Sequence, residues 1–316
     1  MGFLISTATE FFISGIARLK LFLALSRTPH GLLDMATPCF AALLWMGEFP
    51  SLKVILIGLI TVFAGYTAVY ALNDLVDYRI DQEKITKGNY CNPDDYLDAV
   101  MVRHPLAQGC LSFKQAMSWA LLWSAVAVIG AYLLNPVCVL VFLLGCFLET
   151  FYCIMWRITP LRAVVSGAVK TSGPIAGIFA VDPTPSPVFV MVIFLALFFW
   201  EIGGQNIPAD WTDLESDRRL SAQTIPVRFG TKLSAEFLLL CLIFALVLVA
   251  ISFQLSKSGF EPIAAAISMV LGIYLLLMPG VRLYQTKSRA DAMALFNKSS
   301  YYPVALLVTV LIGFIF

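Results

Sequence analysis

The sequence predicts an all-α membrane protein with about nine transmembrane helices. Apolar residues make up 59% of the 316-residue chain and charged residues only 13%, and the mean hydropathy is +0.85, which is far more apolar than a soluble domain. The apolar residues occur in repeated runs of about 20 residues, the length that crosses a bilayer as a helix. Strands of a membrane barrel would alternate polar and apolar residues, and these runs do not.

The predicted spans follow the apolar runs in chain order. They lie near residues 30–48, 53–72, 117–134, 136–156, 163–181, 187–203, 235–254, 262–281 and 301–316. Residues 30–316 are therefore expected to form one transmembrane domain. Residues 1–29 contain apolar stretches interrupted by charges, which predicts an amphipathic segment on the membrane surface.

The basic residues predict the orientation of the spans. With a cytoplasmic N-terminus, all 21 Lys and Arg residues except Lys53, Lys170 and Lys257 fall in cytoplasmic segments. The positive-inside rule then predicts a multi-pass protein whose C-terminus lies on the opposite side of the bilayer. The formal net charge of +1 gives no indication of nucleic-acid binding.

An acidic pattern occurs twice, each time at the end of an apolar run. The first copy follows the second span and the second copy follows the sixth, and each aspartate has a counterpart 136 residues later, as from Asp74 to Asp210. This offset predicts two four-helix units of the same orientation, plus one further helix, around a central cavity. Both acidic patterns would then face that cavity at its cytoplasmic end.

The spacing of three and four residues places the side chains of each pattern on one helical face. Crowded carboxylates repel one another unless a cation lies between them, and Mg²⁺ prefers oxygen ligands that it shares with substrate phosphates. A single cluster is equally explained as a solvated helix end, but two clusters in register favour a metal site. The predicted metal ligands are Asn73, Asp74, Asp77, Asp81, Asp210, Asp213 and Asp217.

These motifs resemble a known family. Residues 73–81 (NDLVDYRID) resemble the NDxxDxxxD motif of the UbiA superfamily of intramembrane prenyltransferases, and residues 210–217 (DWTDLESD) resemble its DxxDxxxD motif. Residues 104–109 (HPLAQG) and 224–230 (TIPVRFG) resemble two further elements of that family. The resemblance implies a ring of nine helices around a cavity, two Mg²⁺ ions on the aspartates and an isoprenyl diphosphate donor.

Ionisation of an allylic diphosphate requires metal ions and cationic side chains that neutralise the departing charge. Tyr152 and Arg157 resemble the tyrosine and basic residue near the end of the family's fourth helix, and we predict a catalytic role for them alongside Asp77 and Asp213. His104 replaces the arginine that the family usually has before this proline. The predicted substrate-binding residues are Arg27, Arg79, Arg103, Arg162, Lys170 and Asn206.

Lys170 is unusual because it lies inside the fifth predicted span. A charged residue in a membrane helix normally pairs with an opposite charge or lines a substrate path. An ion pair with Glu149 is the first prediction, and Asp34 and Glu201 are the other candidate partners. The alternative is contact with the diphosphate or with an acidic acceptor.

Three functions are compatible with these features. The leading hypothesis is prenyl or polyprenyl transfer to a small acceptor, an aromatic quinone precursor, because this is the commonest role in the family that the chain resembles. A same-fold enzyme would instead cyclise a terpene or prenylate a glycerol phosphate or sugar phosphate lipid. A cation-coupled transporter is the non-enzyme alternative, although its acidic residues would be expected near the bilayer midplane rather than at helix ends.

Overall fold

A computed structural model describes residues 15–87, 97–257 and 261–314, and all regular secondary structure within these ranges is helical. Eight helical segments of the described chain are long and apolar enough to cross a membrane, which confirms the predicted fold class. They are Leu52–Val76, Phe113–Leu134, Pro136–Arg157, Arg162–Val181, Pro187–Thr212, Ile225–Gln254, Pro262–Thr286 and Arg289–Gly313.

The first predicted span, residues 30–48, is not a single long helix. After helix α1 (residues 15–25), the chain forms α2 (Thr28–Asp34) and α3 (Ala36–Met46). Pro38 has no N–H to donate to the carbonyl of Asp34, and the hydroxyl of Thr37 donates to that oxygen instead, at 2.9 Å. The count of nine spans is therefore not confirmed. Residues 1–14 of the predicted surface segment lie outside the described residues.

The other helices include the remaining predicted spans and several shorter helices between them. They are α4 (Leu52–Val76), α5 (Tyr78–Lys87), α6 (Phe113–Leu134), α7 (Pro136–Ile154), α8 (Arg162–Val181), α9 (Pro187–Trp200), α10 (Ile207–Thr212), α11 (Leu214–Arg219), α12 (Ile225–Gln254), α13 (Glu261–Gly272), α14 (Met278–Thr286), α15 (Arg289–Ser300) and α16 (Tyr302–Gly313). Two π-helical segments, Glu201–Asn206 and Ile273–Leu277, join α9 to α10 and α13 to α14.

Consecutive long helices pack against one another, from α4 through α6, α7, α8, α9, α12 and α13 to α16. Helix α16 packs against α3, and α2 packs against α4, which closes the arrangement. Small residues permit close approach between membrane helices. A Cβ atom at Gly177 of α8 would lie 2.6 Å from the backbone oxygen of Pro38 in α3, so this crossing requires glycine.

Both acidic patterns lie at a helix break. Asp77 separates α4 from α5, and Asp213 separates α10 from α11. The spacing predicts a continuous helical face, whereas the structure has two helices joined at the central aspartate of each copy. Aspartate favours helix ends because its side chain competes for backbone hydrogen bonds. The two breaks occupy equivalent positions in the two halves of the chain.

Candidate active site

A cavity of ≈ 470 Å³ connects the two acidic patterns to the apolar interior. Its polar end is lined by Asp77, Asp213 and Asp217, and its other end by Phe49 and Val54. One face of α4 lines the cavity along most of the helix, at positions three or four residues apart. These positions are Val54, Gly58, Val62, Tyr66, Val69, Asn73 and Asp77.

The first acidic pattern presents one carboxylate oxygen to the cavity. Arg27 Nη2 donates to Asn73 Oδ1 at 2.9 Å and to Asp74 Oδ1 at 3.2 Å, and Asn73 Nδ2 donates to Glu149 Oε1 at 2.6 Å. Asp77 Oδ1 is buried and has no hydrogen-bond partner within the described chain. Burial, reinforced by the nearby Asp81 carboxylate, raises the pKa of Asp77 above its usual value. A cation at this oxygen would offset that cost.

Two aspartates of the first acidic pattern, Asp74 and Asp81, contact the side chain of His104. His104 Nδ1 lies 2.9 Å from Asp81 Oδ2 and 3.4 Å from Asp74 Oδ1. The three side chains offer ligand atoms within 4.8 Å of one another, a spacing that suits a metal ion. Burial alone would lower the pKa of His104, but the two carboxylates outweigh it and raise the pKa above the usual histidine value.

Arg162 pairs with the first aspartate of the second acidic pattern. Its Nη1 atom lies 2.9 Å from Asp210 Oδ1, and its guanidinium carbon lies 4.2 Å from the ring centroid of Tyr152. Asn206 Nδ2 donates to the hydroxyl of Tyr152 at 3.1 Å, which fixes the orientation of the ring. The π-helical segment that contains Asn206 is wider than an α-helix and frequently marks a functional site.

Two cations from the first half of the chain reach the second acidic pattern. Arg103 Nη2 lies 3.3 Å from Asp213 Oδ2, and Lys84 Nζ lies 3.9 Å from Asp217 Oδ1. Burial opposes ionisation of Asp213, but Arg103 and Lys84 outweigh it and lower the pKa of this carboxyl. Burial dominates at Asp217 and raises its pKa to about 7. The two halves therefore form one site.

The donor set fits a hard divalent cation. Asp77 Oδ1, Asp210 Oδ2 and Asp217 Oδ1 are buried carboxylate oxygens without a hydrogen-bond partner in the described ranges. Such atoms are costly to bury unpaired, and carboxylate oxygens are the preferred protein ligands of Mg²⁺. The residues present can hold Mg²⁺ between the two patterns.

A comparison with known proteins decides the family. The model of the UbiA prenyltransferase family matches residues 35–301. The chain belongs to the UbiA prenyltransferase family. It is thus a prenyltransferase, as the sequence motifs indicate.

Several curated UbiA-family relatives cover most of the chain. A 4-hydroxybenzoate octaprenyltransferase from Shewanella denitrificans is 29% identical over 68% of this chain and 69% of its own length. A digeranylgeranylglyceryl phosphate synthase from Pyrococcus furiosus is 27% identical over 76% of this chain and 79% of its own length. A protoheme IX farnesyltransferase from Ruthia magnifica is 28% identical, over 69% of this chain and 74% of its own length.

Solved UbiA structures share the fold. A UbiA homologue from Aeropyrum pernix K1 superposes with a TM-score of 0.71 at 19% identity, covering 90% of this chain and 98% of its own. A homologue from Archaeoglobus fulgidus, bound to GPP and Mg²⁺, superposes with a TM-score of 0.67 at 16% identity, covering 92% of this chain and 99% of its own.

Four of the predicted site residues do not line the cavity: Asp74, Asp81, Arg79 and Arg157. Arg157 pairs with Glu83 at 2.6 Å, and its Nε donates to the backbone oxygen of Leu220. Arg79 is exposed on α5. Arg27, Arg103, Arg162 and Lys170 do line it, together with Tyr152 and Asn206. The structure thus favours Arg162 over Arg157 as the basic partner of Tyr152.

The predicted ion pair between Lys170 and Glu149 is wrong. Lys170 Nζ lies 2.6 Å from Asp34 Oδ2 and 4.0 Å from Glu201 Oε2. Glu149 on α7 instead accepts a hydrogen bond from Asn73 on α4. The break between α2 and α3 places Asp34 at the end of α2, within reach of α8, an arrangement that a continuous first span does not predict.

Lys84 and Tyr70 line the cavity but were not among the predicted site residues. Lys84 contacts Asp217, and Tyr70 donates a hydrogen bond to Asp34. Both lie seven residues from Asp77, one on each side, and on the continuous helix that the sequence predicts, a spacing of seven returns to nearly the same face. That spacing is the sequence signal that would have found them.

Proposed function

We propose that this protein transfers a prenyl or polyprenyl group from an isoprenyl diphosphate to a small acceptor within the membrane, in a Mg²⁺-dependent reaction. The observation that carries the proposal is the pair of facing acidic patterns at the polar end of a cavity with a long apolar remainder. The Archaeoglobus fulgidus homologue, which was solved bound to GPP and Mg²⁺, supports an isoprenyl diphosphate donor and a Mg²⁺ requirement.

Two Mg²⁺ ions are expected, one for each acidic pattern. The first would be held by Asn73 and Asp77, with Asp74 and Asp81 beside them, and the second by Asp210, Asp213 and Asp217. When bound, Mg²⁺ supplies positive charge that stabilises the departing diphosphate.

The cationic side chains of the site are proposed to hold the diphosphate oxygens. Arg27, Lys84, Arg103 and Arg162 all line the cavity and all contact residues of the acidic patterns. Arginine binds phosphate with two parallel N–H donors, which fixes the leaving group in orientation as well as in charge. These contacts become stronger as the diphosphate gains negative charge, so they favour ionisation of the allylic C–O bond.

The apolar part of the cavity is proposed to hold the isoprenyl chain. From Val54 to Asp77, the lining face of α4 extends about 35 Å at the helical rise. The ring of Tyr152 lines the polar end of this groove, where its π face would stabilise the developing allylic cation.

The proposed acceptor is an aromatic quinone precursor. His30, Tyr66 and Tyr70 give the cavity an aromatic section between the acidic patterns and the apolar end, where a flat ring would stack. The octaprenyltransferase relative from Shewanella denitrificans is named for an aromatic acceptor. Prenylation of a glycerol phosphate lipid is the second candidate, because the Pyrococcus furiosus synthase aligns over 76% of the chain.

The membrane orientation is part of the proposal. The acidic patterns and the N-terminus are expected on the cytoplasmic side and the C-terminus on the opposite side, as the distribution of Lys and Arg predicts.

The decisive experiment is incubation of the purified protein in detergent with Mg²⁺ and radiolabelled geranylgeranyl diphosphate. Aromatic, glycerol phosphate and sugar phosphate acceptors are added in separate reactions, and a chelator control removes Mg²⁺. A prenylated aromatic product supports the proposal. A hydrocarbon or alcohol formed without acceptor identifies a cyclase, and absence of Mg²⁺-dependent diphosphate release with donors of several lengths contradicts the proposal.

A further inference from the structure

The inner part of the cavity contains buried and half-buried polar side chains that the proposed donor chemistry does not use. We call them the inner polar cluster, which consists of His30, Asp34, Tyr70, Ser166, Lys170 and Glu201. All except Asp34 line the cavity. Charged groups at this depth in a membrane protein are costly and normally serve a substrate or one another.

The inner polar cluster contains two carboxylates, on Asp34 and Glu201, but only one ammonium group. Lys170 Nζ lies 2.6 Å from Asp34 Oδ2 and 4.0 Å from Glu201 Oε2, so one ammonium group faces two carboxylates. Asp34 also accepts a hydrogen bond from Tyr70, and Glu201 Oε1 accepts one from Ser166 at 2.7 Å. Lys170 is therefore already neutralised, and the cluster carries an excess of negative charge.

Two buried atoms of the cluster lack a hydrogen-bond partner in the described part of the chain. Glu201 Oε2 and His30 Nδ1 are buried and form no hydrogen bond within the described residues, although both side chains line the cavity. Glu201 is 7% exposed and His30 is 5% exposed. Buried polar atoms are normally hydrogen-bonded, so these two are expected to receive polar groups of a bound molecule.

Aromatic rings lie against His30 in this section of the cavity. The His30 ring stacks on Phe296 with 5.5 Å between centroids and meets Tyr70 edge-on at 6.1 Å. Tyr66 lines the same part of the cavity and bonds to the hydroxyl of Thr37 at 3.0 Å. The section is suited to a flat ring that carries hydroxyl groups.

We infer that the inner polar cluster binds the prenyl acceptor, and that this acceptor is an uncharged hydroxylated aromatic ring rather than a carboxylate or phosphate. The inference rests on the proposed prenyl transfer and specifies its acceptor class. A hydroxyl group can donate to Glu201 Oε2, whereas an anionic group would add a third negative charge near a lysine that is already paired.

The same placement gives Glu201 a role in the transfer step. The acceptor hydroxyl gives its proton to Glu201, and an electron-rich ring carbon forms a bond to C1 of the donor. The C1–O bond breaks, and its electron pair leaves with the diphosphate. The ring then loses the proton from the alkylated carbon and regains one on oxygen from Glu201, so the net products are the prenylated ring, diphosphate and one proton.

Equilibrium dialysis without donor tests the inference, using 1,4-dihydroxynaphthalene and 1,4-dihydroxy-2-naphthoate under argon. These probes differ only in the carboxylate. The wild-type protein is expected to bind the uncharged ring at least tenfold more tightly, and Glu201→Gln is expected to reduce that preference at least fivefold. Asp182→Asn is the matched control, since Asp182 is bonded to Trp45 and does not line the cavity.

Equal or tighter binding of the carboxylate by the wild-type protein would overturn the inference without reference to any variant. An unchanged preference in a Glu201→Gln protein with wild-type thermal stability would do the same. Mg²⁺-dependent diphosphate release is measured separately. Its absence would count against prenyl transfer, while the ratio of the two dissociation constants would still decide the acceptor class.

Discussion

His104 and Arg103 are adjacent in the chain but contact different acidic patterns. His104 Nδ1 lies 2.9 Å from Asp81 Oδ2, while Arg103 Nη2 lies 3.3 Å from Asp213 Oδ2. The backbone of His104 has a φ of 51°, in the left-handed region that few residues other than glycine adopt. The two side chains link the acidic pattern of each half to a single loop.

Arg103 is expected to matter for donor binding. Arg103→Ala should lower kcat/KM for the isoprenyl diphosphate by about tenfold or more, because a charged hydrogen bond to diphosphate or Asp213 is lost. Steady-state diphosphate release measures the effect. Lys114→Ala is the control, since Lys114 is an exposed cation after the same loop. An equal loss in both variants would mean that only general surface charge is involved.

Asp77 and Asp213 are expected to be essential. Replacement of either by Ala should abolish turnover while the detergent-solubilised protein stays folded, because each is the central aspartate of its pattern and lines the cavity. Glu215→Ala is the matched control, since Glu215 is an exposed acid two residues after Asp213. Retained activity in Asp77→Ala or Asp213→Ala would remove the two-metal proposal.

Arg162 and Arg157 provide a direct test of the sequence resemblance against the structure. Arg162→Ala should reduce kcat/KM by about a hundredfold, equivalent to about 3 kcal/mol, because it leaves buried Asp210 unpaired and removes a cation from the cavity. Arg157→Ala should change it by less than about threefold, since exposed ion pairs such as Arg157–Glu83 contribute little. Losses of equal size would favour the role that the resemblance predicts for Arg157.

Gly58 is expected to set the longest donor chain. It lies about 28 Å along α4 from Asp77, and a Cβ atom there would meet no other atom within 4 Å. An extended isoprene unit spans about 5 Å at the reach of a fully extended chain, so roughly five units fit before Gly58. Gly58→Phe should preserve turnover of geranylgeranyl diphosphate and depress that of an octaprenyl donor.

The control for this substitution is Ile60→Phe on the exposed face of the same helix, since Ile60 is 58% exposed and does not line the cavity. Turnover of geranylgeranyl diphosphate and of the octaprenyl donor is measured in parallel, and the ratio of the two rates is compared between the variants. An unchanged ratio in Gly58→Phe would place the donor chain elsewhere.

Asp98 is expected to make stability depend on pH. Burial raises its pKa to about 6, although its Oδ1 accepts a hydrogen bond from the backbone N–H of His30 at 3.2 Å. The folded state binds the proton of Asp98 more tightly than the unfolded state. The stabilisation that protonated Asp98 contributes is therefore present at low pH and is lost as the pH rises through about 6. The shift corresponds to about 3 kcal/mol at most.

Thermal unfolding at pH 4.5 and 7.5 measures this effect in the wild type and in Asp98→Asn, which keeps an acceptor oxygen but does not titrate. The wild type should lose stability relative to the variant at the higher pH. The same pH dependence in both proteins would exclude Asp98 as its source.

The sequence by itself determined the fold class, the family and the identity of the acidic patterns. The order of residues alone shows the apolar runs of membrane-spanning length and the polar residues repeated at an offset of 136. Asp77 and Asp213 could therefore be selected without coordinates. Helical spacing also predicted that Asn73 and Asp77 share one face, and both line the cavity at the end of α4.

Tertiary structure decided which charges meet. Lys170 pairs with Asp34 rather than Glu149, and Arg162 rather than Arg157 contacts Tyr152. Spacing along the chain shows on which face of a helix a residue lies. It does not show which other helix packs against that face. The neighbour depends on helix rotation, on the break between α2 and α3 and on the wider π turn at Glu201–Asn206. These follow from packing among helices that are distant in sequence.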